Sequence, residues 1–366
     1  DIERAAQALL QARNPGIVAG SRVLEAGGAE TLGRLADLLG APIFGEAATM
    51  HGRLPVRPDH PLYQGPLPLW APDIAATLSG FDVVFVAGAN FLRLYIYLEP
   101  ASPIPRSTRI IHLDSHPEEV GKNYPVEVGL IGDPAAGLSA LVDCLKDRID
   151  RAAAQGRANR WSEQKKTLQQ KLRGQLEEHA ADRPMTSWTM MRALADRLPA
   201  NIAVVEESLT SHHGVLEQLA VVRDADALFA HRGWALGWGM GCALGVKLAW
   251  PNRPVVALIG DGSALYGAQA LWSAAHHQIP VTFIICKNRQ YKILRNCGTV
   301  MNLPRLAQPG CPGMDLVQPE VDYLALAQAF GVKATRVSES AALSDVLSES
   351  LKGSEPRLIE AVLADE

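Results

Sequence analysis

Short apolar runs alternate with longer amphipathic stretches along most of the chain. The stretches 2–13, 29–39 and 135–145 carry apolar residues at helical spacing, and Gly40 directly after the second indicates a helix end. Strand-length apolar runs between such helices are typical of a parallel sheet that is covered on both faces. The runs are 15–20, 41–44, 82–88, 109–114, 202–205, 255–259, 281–286 and 358–362. The pattern therefore predicts an α/β protein.

A change in composition divides this pattern in two. From residue 147 to 182 the apolar runs give way to Arg, Lys, Gln, Glu and Ala. Charges of both signs are interspersed there, which is typical of a solvated helix and not of a basic nucleic-acid surface. We therefore predict one α/β domain over 1–150, a helical connector over 151–183, and a second α/β domain over 184–366.

The bulk composition narrows the classes of partner. The chain has 366 residues, 48% of them hydrophobic, and a formal net charge of −4. It can bury large cores, and it has no general charge that would attract nucleic acid or an anionic membrane. The five cysteines form no CxxC pair, which favours reduced thiols over a disulfide framework or a zinc site. We expect a cytoplasmic protein that binds neither nucleic acid nor a membrane.

The segment 260–288 carries the candidate chemistry. Its first four residues, Gly-Asp-Gly-Ser, follow the apolar run 255–259, and Asn288 follows the run that starts at Val281. The carboxyl ends of parallel strands meet at one edge of a sheet, so we expect Asp261 and Asn288 to converge. Carboxylate and amide oxygens suit Mg²⁺, and glycines let the main chain approach a phosphate. The segment predicts a diphosphate and a divalent metal; an ordinary βαβ unit without a ligand is the alternative.

This segment resembles the signature of thiamine-diphosphate enzymes, in which GDG is followed by an Asn, usually doubled, at the end of the next strand. Here the first Asn of the pair is Lys287, and the second is kept as Asn288. The whole run is similar to the 2-oxo-acid decarboxylases of the benzoylformate-decarboxylase kind. The resemblance implies that Mg²⁺ is bound by Asp261, Asn288 and the main-chain carbonyl of Gln290.

Two upstream segments resemble further parts of the family's cofactor site. The segment 206–210 matches a stretch whose hydroxyl near Thr210 would hold the diphosphate, although helix capping is an equal alternative. In the glycine-rich segment 233–245, the resemblance places Leu236 beneath the cofactor and the Trp234 carbonyl against its pyrimidine amine. Plain helix packing is the alternative there. The cofactor-binding residues predicted in this way are Thr210, Trp234, Leu236, Gly260, Gly262 and Ser263.

The residues after the signature resemble the family's substrate wall. The resemblance places Ile293, Leu294 and Cys297 near the substrate. Relatives that act on aryl substrates carry a smaller residue at position 293 and an aromatic residue at position 297. We therefore expect a substrate preference that differs from theirs.

The first domain contributes one candidate catalytic residue. The segment 88–97 resembles benzoylformate decarboxylase, and Tyr95 stands where the relatives have a catalytic His. A Tyr is a poorer proton shuttle near neutral pH, and a core aromatic is the alternative role. The segment 16–21 lacks the GxGxxG fingerprint, so we expect no dinucleotide in this domain.

The resemblance also implies a fold and an activity. The fold is two parallel-sheet, three-layer domains: a degenerate Rossmann-like middle domain and a thiamine-diphosphate-binding domain. The activity is decarboxylation of a small 2-oxo acid; an acetolactate-synthase-like carboligase and a non-catalytic fragment that needs a partner chain are the alternatives. The full-length form would be a homodimer or homotetramer. Because residues 1–6 resemble the start of the family's middle domain, we expect the N-terminal pyrimidine-binding domain to be missing. The isolated chain would then be inactive, with an exposed apolar face on its diphosphate domain.

Overall fold

The computed structural model describes residues 1–46, 52–94, 98–99, 102–211, 220–230, 233, 235–308 and 310–364. The chain divides into two compact units, Asp1–Lys171 and Leu172–Glu366. Each unit contains a six-stranded sheet, and every recorded strand pairing within the two sheets is parallel. The predicted α/β architecture of two parallel sheets flanked by helices is therefore confirmed.

The first unit has the strand order β3-β2-β1-β4-β5-β6. Its strands are β1 Pro15–Ala19, β2 Ile43–Gly45, β3 Tyr63–Pro66, β4 Val83–Ala87, β5 Arg109–Asp114 and β6 Val128–Ile131. Its helices are α1 Ile2–Leu10, α2 Ser21–Glu25, α3 Ala29–Leu39, α4 Ala71–Leu78 and α5 Pro134–Leu145, and α6 Arg151–Glu178 runs across the boundary into the second unit. Strands β1 and β4 are buried at every position, as expected for parallel strands that are covered on both faces.

The strand order of the first unit reverses between β1 and β4, where doubly wound folds bind ligands. Here the protein's own side chains fill this position. The Glu46 carboxylate accepts hydrogen bonds from the main-chain N–H groups of Ser21 and Asn90. A Cβ on Gly20 would lie 2.6 Å from that carboxylate. The main-chain donors of this crevice are thus already engaged by a carboxylate of the same unit.

The second unit has the strand order β11-β12-β10-β9-β7-β8. Its strands are β7 Ala203–Glu207, β8 Leu228–Ala230, β9 Val255–Gly260, β10 Thr282–Lys287, β11 Lys333–Val337 and β12 Arg357–Val362. Its helices are α7 Ser187–Arg197, α8 Trp238–Ala249, α9 Asp261–Gly267, α10 Ala270–His276, α11 Lys292–Val300, α12 Pro304–Ala307, α13 Tyr323–Ala329 and α14 Ser340–Lys352. Helix α8 packs on β7 and β9, the strands that precede Thr210 and Asp261 in the chain. Among the described residues, no helix is both long and apolar enough to cross a membrane.

The segment between β9 and β10 forms two short helices, α9 and α10. Helix α9 begins at Asp261 without an intervening loop, and a break at Ala268 and Gln269 separates it from α10. An acidic side chain in the first turn of a helix interacts favourably with the free N–H groups there. The Gly-Asp-Gly-Ser sequence therefore serves as the first turn of a helix that starts directly at the sheet edge.

Candidate cofactor site

Two polar residues meet at the carboxyl edge of the second sheet. Strands β9 and β10 are parallel neighbours with Gly260 opposite Cys286, and Asp261 and Asn288 follow the ends of these strands. Asp261 is 3% exposed and Asn288 is 9% exposed. The structure thus brings a buried carboxylate and a buried amide to the same edge of the sheet.

The carboxylate of Asp261 is held by main-chain donors. Its Oδ1 accepts from Gly262 N at 2.9 Å, and its Oδ2 accepts from Arg289 N at 2.6 Å. The Tyr323 hydroxyl donates to the Asp261 main-chain oxygen at 2.6 Å. Burial raises the pKa of Asp261 to about 6, although these N–H donors and the Lys287 charge partly offset the rise. Burial therefore penalises the negative charge of a fixed carboxylate, and a bound cation would offset that penalty.

The residues after Asn288 form a loop that a second segment fixes. The Asn288 Oδ1 accepts from Gln290 N at 3.1 Å. On either side of Gln290, Tyr291 N donates to Met314 O at 2.9 Å and Leu316 N donates to Arg289 O at 2.8 Å. These two bonds pair the loop with residues 314–316. Both are formed by the residues on either side of Gln290, and neither uses the Gln290 carbonyl. The oxygens of Asp261, Asn288 and Gln290 are a donor set that suits Mg²⁺.

Within the described ranges, no cluster of three or more His, Cys, Asp or Glu side chains could hold a metal ion. The candidate site does not depend on such a cluster, because it combines one carboxylate with an amide and a main-chain carbonyl. Hard oxygen donors of mixed type are normal for Mg²⁺, which keeps part of its shell for water and substrate phosphates. The donor chemistry therefore fits a metal–diphosphate group.

The predicted diphosphate residues lie at the ends of adjacent strands. Strands β7 and β9 are parallel neighbours, and a Cβ on Gly260 would lie 3.7 Å from the Ser208 main-chain oxygen. Ser263 and Thr210 are buried. The Glu206 Oε1 accepts from Ser208 N at 2.7 Å and from Leu209 N at 3.1 Å, which fixes the turn leading to Thr210. The hydroxyl-bearing turn and the helix start are thus side by side.

Gly262 has a close aromatic neighbour. The ring of Tyr291 packs so closely against Gly262 that an added Cβ would collide with it. The absence of a side chain at Gly262 therefore lets the loop after Asn288 approach the first turn of α9. The sequence predicted a glycine that makes room for a phosphate, and the structure shows one that makes room for Tyr291.

Leu236, which the resemblance places beneath the cofactor, lies in a segment that Glu207 holds by hydrogen bonds. Leu236 is half-buried, and the next residue, Gly237, has φ 91°, a conformation that favours glycine. The carboxylate of Glu207, the last residue of β7, accepts from Gly237 N at 2.6 Å and from Gly239 N at 2.7 Å. Trp234 lies outside the described residues.

The predicted substrate residues are on helix α11, which follows the loop after Asn288. Cys297 is buried and Ile293 is half-buried, whereas Leu294 is 42% exposed. Ile293 and Cys297 are four residues apart and lie on one face of the helix. Burial raises the pKa of the Cys297 thiol, which disfavours a thiolate nucleophile. Tyr95, the predicted catalytic residue of the first domain, lies outside the described residues.

Three residues of this arrangement were not identified from the sequence: Glu207, Tyr291 and Tyr323. Each acts through a contact with a residue far away in the chain or with a glycine that has no side chain. One local signal was available for Glu207. Two glutamates follow an apolar strand directly, and charged side chains are rarely buried at such positions unless they have partners. No periodic pattern points to either tyrosine.

Comparison with known proteins identifies the two units. Residues 2–141 match the central domain of thiamine pyrophosphate enzymes, and residues 210–361 match their C-terminal TPP binding domain. The chain carries the central and C-terminal domains of a thiamine pyrophosphate enzyme. The resemblance seen in the sequence is therefore confirmed, and thiamine diphosphate is the cofactor of the domain that contains Asp261 and Asn288.

Individual relatives agree with this membership. The chain is 31% identical over 359 residues to a benzoylformate decarboxylase of Pseudomonas aeruginosa, covering 96% of this chain and 61% of that protein. It superimposes with a TM-score of 0.84 at 26% identity on a thiamine diphosphate-dependent 4-hydroxybenzoylformate decarboxylase of Rhodococcus jostii RHA1, covering 100% of this chain and 64% of that one. A probable acetolactate synthase large subunit of Methanococcus aeolicus is 24% identical over 367 residues, covering 98% of this chain and 59% of that protein. The chain thus spans about three fifths of the length of these relatives.

Proposed function

We propose that the protein is a thiamine-diphosphate-dependent decarboxylase of a small 2-oxo acid. The observation that carries the proposal is the meeting of Asp261 and Asn288 at one sheet edge, next to the Gly-Asp-Gly-Ser helix start. The chain in which this occurs is 31% identical over 359 residues to a benzoylformate decarboxylase. Fold alone would not support an activity, but the fold together with this particular donor set does.

The residues of the second unit would hold the cofactor from three sides. We propose that Asp261, Asn288 and the Gln290 carbonyl bind Mg²⁺, with Thr210, Gly260, Gly262 and Ser263 near the diphosphate. Leu236 would lie beneath the cofactor and the Trp234 carbonyl would accept from its pyrimidine amine. The bound cofactor supplies the nucleophilic carbon and the electron acceptor that protein side chains lack.

The substrate would lie against helix α11. Ile293 and Cys297 share a face of this helix, and Leu294 is exposed beside them, so these side chains can form one wall of a cavity. We propose that a larger residue at 293 and a smaller one at 297 favour a 2-oxo acid other than benzoylformate. Tyr95 is the candidate proton donor or acceptor from the first domain.

Carboligation is the second candidate, because carboligases such as the acetolactate synthase relative belong to the same family. That relative is 24% identical, against 31% for the benzoylformate decarboxylase. The closer similarity favours decarboxylation. Product analysis separates the two activities, since a carboligase forms a new carbon–carbon bond and a decarboxylase releases an aldehyde.

We further propose that the protein assembles as a homo-oligomer. Leu265, Tyr266 and Trp272 on helices α9 and α10 are large apolar side chains with exposures of 42%, 58% and 52%. Apolar residues concentrated on neighbouring helices are typical of an association surface. The five cysteines are free, which supports a reducing compartment such as the cytoplasm.

The proposal is tested by cofactor binding and by product formation. Calorimetry with thiamine diphosphate and Mg²⁺ should detect binding to the wild type and a loss of several kcal/mol in Asp261→Ala, because a charged ligand of a dication is removed. Asp345→Asn, which changes an exposed carboxylate in α14, is the control and should bind normally. Equal binding by wild type and Asp261→Ala would refute the metal assignment. Release of CO₂ should be measured on the full-length enzyme with a panel of aliphatic and aryl 2-oxo acids, and formation of coupled products alone would favour the carboligase.

A further inference from the structure

Glu207 is a fully buried carboxylate at the end of β7, adjacent to the cofactor site. Its two oxygens accept from Gly237 N at 2.6 Å and from Gly239 N at 2.7 Å. Gly237 is the residue before helix α8 and Gly239 lies in its first turn. One side chain of β7 thus satisfies N–H groups at the start of a helix that is thirty residues further along the chain.

The loop that Glu207 holds is the one that carries Leu236. We name residues 235–239 the Leu236 loop. A Cβ on Gly239 would lie 2.8 Å from the Glu207 carboxylate and 2.7 Å from Ile259. A Cβ on Gly267 would lie 2.5 Å from the Gly237 main-chain oxygen. The Leu236 loop is therefore enclosed between Glu207 on one side and the last turn of α9 on the other.

This enclosure couples two halves of the candidate site. Helix α9 begins at Asp261 in the metal site and ends at Gly267 against the Leu236 loop. Glu207 and Ile259 are paired residues on neighbouring strands. The position of Leu236 relative to the metal is thus set by the same strands that set the positions of Asp261 and Thr210.

We propose that Glu207 is a positioning residue. It holds the Leu236 loop in the position in which Leu236 supports the thiamine part of the cofactor. This inference rests on the proposed function, in which Leu236 lies beneath the cofactor. Glu207 accepts hydrogen bonds from the loop and does not take part in proton transfer. Its effect falls on the ring-bearing half of the cofactor and not on the diphosphate, which is held by the residues around Asp261.

The carboxylate is needed because both partners are donors. A carboxylate offers an acceptor oxygen to each N–H, whereas an amide of the same shape offers one oxygen and one NH₂ group. Glu207→Gln therefore places an N–H opposite a main-chain N–H and forces the Leu236 loop to move. Burial raises the pKa of Glu207, and the bonds from Gly239 and Gly237 act in the opposite direction.

The test compares two ligands that share a diphosphate. The affinities of thiamine diphosphate and of inorganic diphosphate, each with Mg²⁺, are measured by calorimetry on the wild type, Glu207→Gln and Glu207→Asp. We expect Glu207→Gln to bind thiamine diphosphate about tenfold more weakly, as loss of a buried charge-assisted hydrogen bond commonly does. Inorganic diphosphate should bind with an affinity within about twofold of the wild type, because Glu207 bonds to the Leu236 loop and not to the residues proposed to lie near the diphosphate. Glu207→Asp keeps both acceptor oxygens on a shorter side chain and should show the same selective loss.

Ser350→Ala is the matched control for general destabilisation. The Ser350 hydroxyl forms a buried hydrogen bond of 2.7 Å with Thr282, the first residue of β10. This bond lies at the amino ends of the strands, away from the candidate site at their carboxyl ends. Its loss should lower the melting temperature without changing the ratio of the two affinities. A Glu207 variant that loses both ligands equally, or neither, would overturn the positioning role.

A second readout needs no cofactor. Amide hydrogen exchange of Gly237 and Gly239 should be faster in Glu207→Gln than in the wild type, and unchanged in Ser350→Ala. Unchanged exchange in the Glu207 variant would overturn the inference even if the variant bound the cofactor weakly. A wild type that shows no preference for thiamine diphosphate over inorganic diphosphate would instead refute the proposed function. The exchange result would then still test whether Glu207 holds Gly237 and Gly239.

Discussion

Replacing Asp261 with Asn should abolish metal binding and leave the cofactor-free protein as stable as the wild type, or more stable, near neutral pH. The carboxylate is 3% exposed, and burial raises its pKa from 3.8 to about 6. The folded protein therefore binds the Asp261 proton more tightly than the unfolded chain does. The contribution of Asp261 to the free energy of unfolding is therefore most favourable below pH 3.8, falls as the pH rises towards 6, and stays at its lower value above pH 6.

The magnitude follows from the shift of the pKa. A shift of this size corresponds to about 3 kcal/mol of destabilisation at neutral pH. The neutral Asn does not titrate, so this penalty is absent from Asp261→Asn. The amide keeps one acceptor oxygen and loses one of the bonds from Gly262 N and Arg289 N, which costs about 1–3 kcal/mol. The net change at pH 7 is expected to be small or stabilising, with a clear dependence on pH.

The assay is urea unfolding of both proteins between pH 4.5 and 7.5, without cofactor. The difference in free energy of unfolding, variant minus wild type, should grow by about 2 kcal/mol across this range. Saturating thiamine diphosphate and Mg²⁺ should then stabilise the wild type by about 2.7 kcal/mol at one hundred times the dissociation constant, and should not stabilise the variant. Asp345→Asn controls for the loss of an exposed carboxylate. A difference that does not change with pH, or a variant that the cofactor stabilises as it does the wild type, would refute the reasoning.

Three further predictions concern other parts of the molecule. Tyr323→Phe removes the donor to the Asp261 main-chain oxygen, so we expect a loss of about 1–3 kcal/mol in urea unfolding together with weaker cofactor binding; unchanged stability would contradict this role. Asp114→Asn leaves the buried Arg22 without its charge partner at 2.7 Å, and should cost about 3 kcal/mol or more, whereas Asp1→Asn, in an exposed pair, should have little effect. Burial acts to raise the pKa of Asp114, but the nearby His112 imidazole and the hydrogen bonds from Arg22 outweigh it and lower the pKa to about 2, so the stabilisation should be present above pH 3.8 and lost as the pH falls towards 2. In the full-length enzyme, Ile293→Ala should raise kcat/KM for aryl 2-oxo acids relative to aliphatic ones by about tenfold or more, and an unchanged ratio would show that Ile293 does not contact the substrate.

Much of the fold follows from local pattern. The central strands β1, β4, β9 and β10 are continuous apolar runs, because strands covered on both faces have no solvent-exposed side, and the sequence alone locates them. Strands β3, β6, β8 and β11 were not predicted. They lie at the edges of the two sheets and are only partly buried, so none of them carries the apolar run that marks a central strand.

The candidate site was likewise predicted only in part. Asp261 and Asn288 could be placed together from the sequence, because each directly follows a predicted strand and the carboxyl ends of parallel strands meet at one edge. Their chemistry is carried by residue type and by position after a strand, both of which are local. The partners that fix them are not local: Tyr323 reaches Asp261 from helix α13, and residues 314–316 pair with the loop after Asn288.

The sequence by itself determined the architecture, the cofactor class and the meeting of Asp261 and Asn288 at one sheet edge, where metal binding stays a prediction. Only the tertiary structure decided which strands are neighbours, that Glu207 holds the Leu236 loop, and that the chain's own Glu46 takes the main-chain donors at the crevice of the first sheet. The physical reason is that hydrophobic periodicity and turn residues report the environment of a residue along its own element. A hydrogen bond between elements depends on which surfaces pack together, and no repeat in the sequence records that choice.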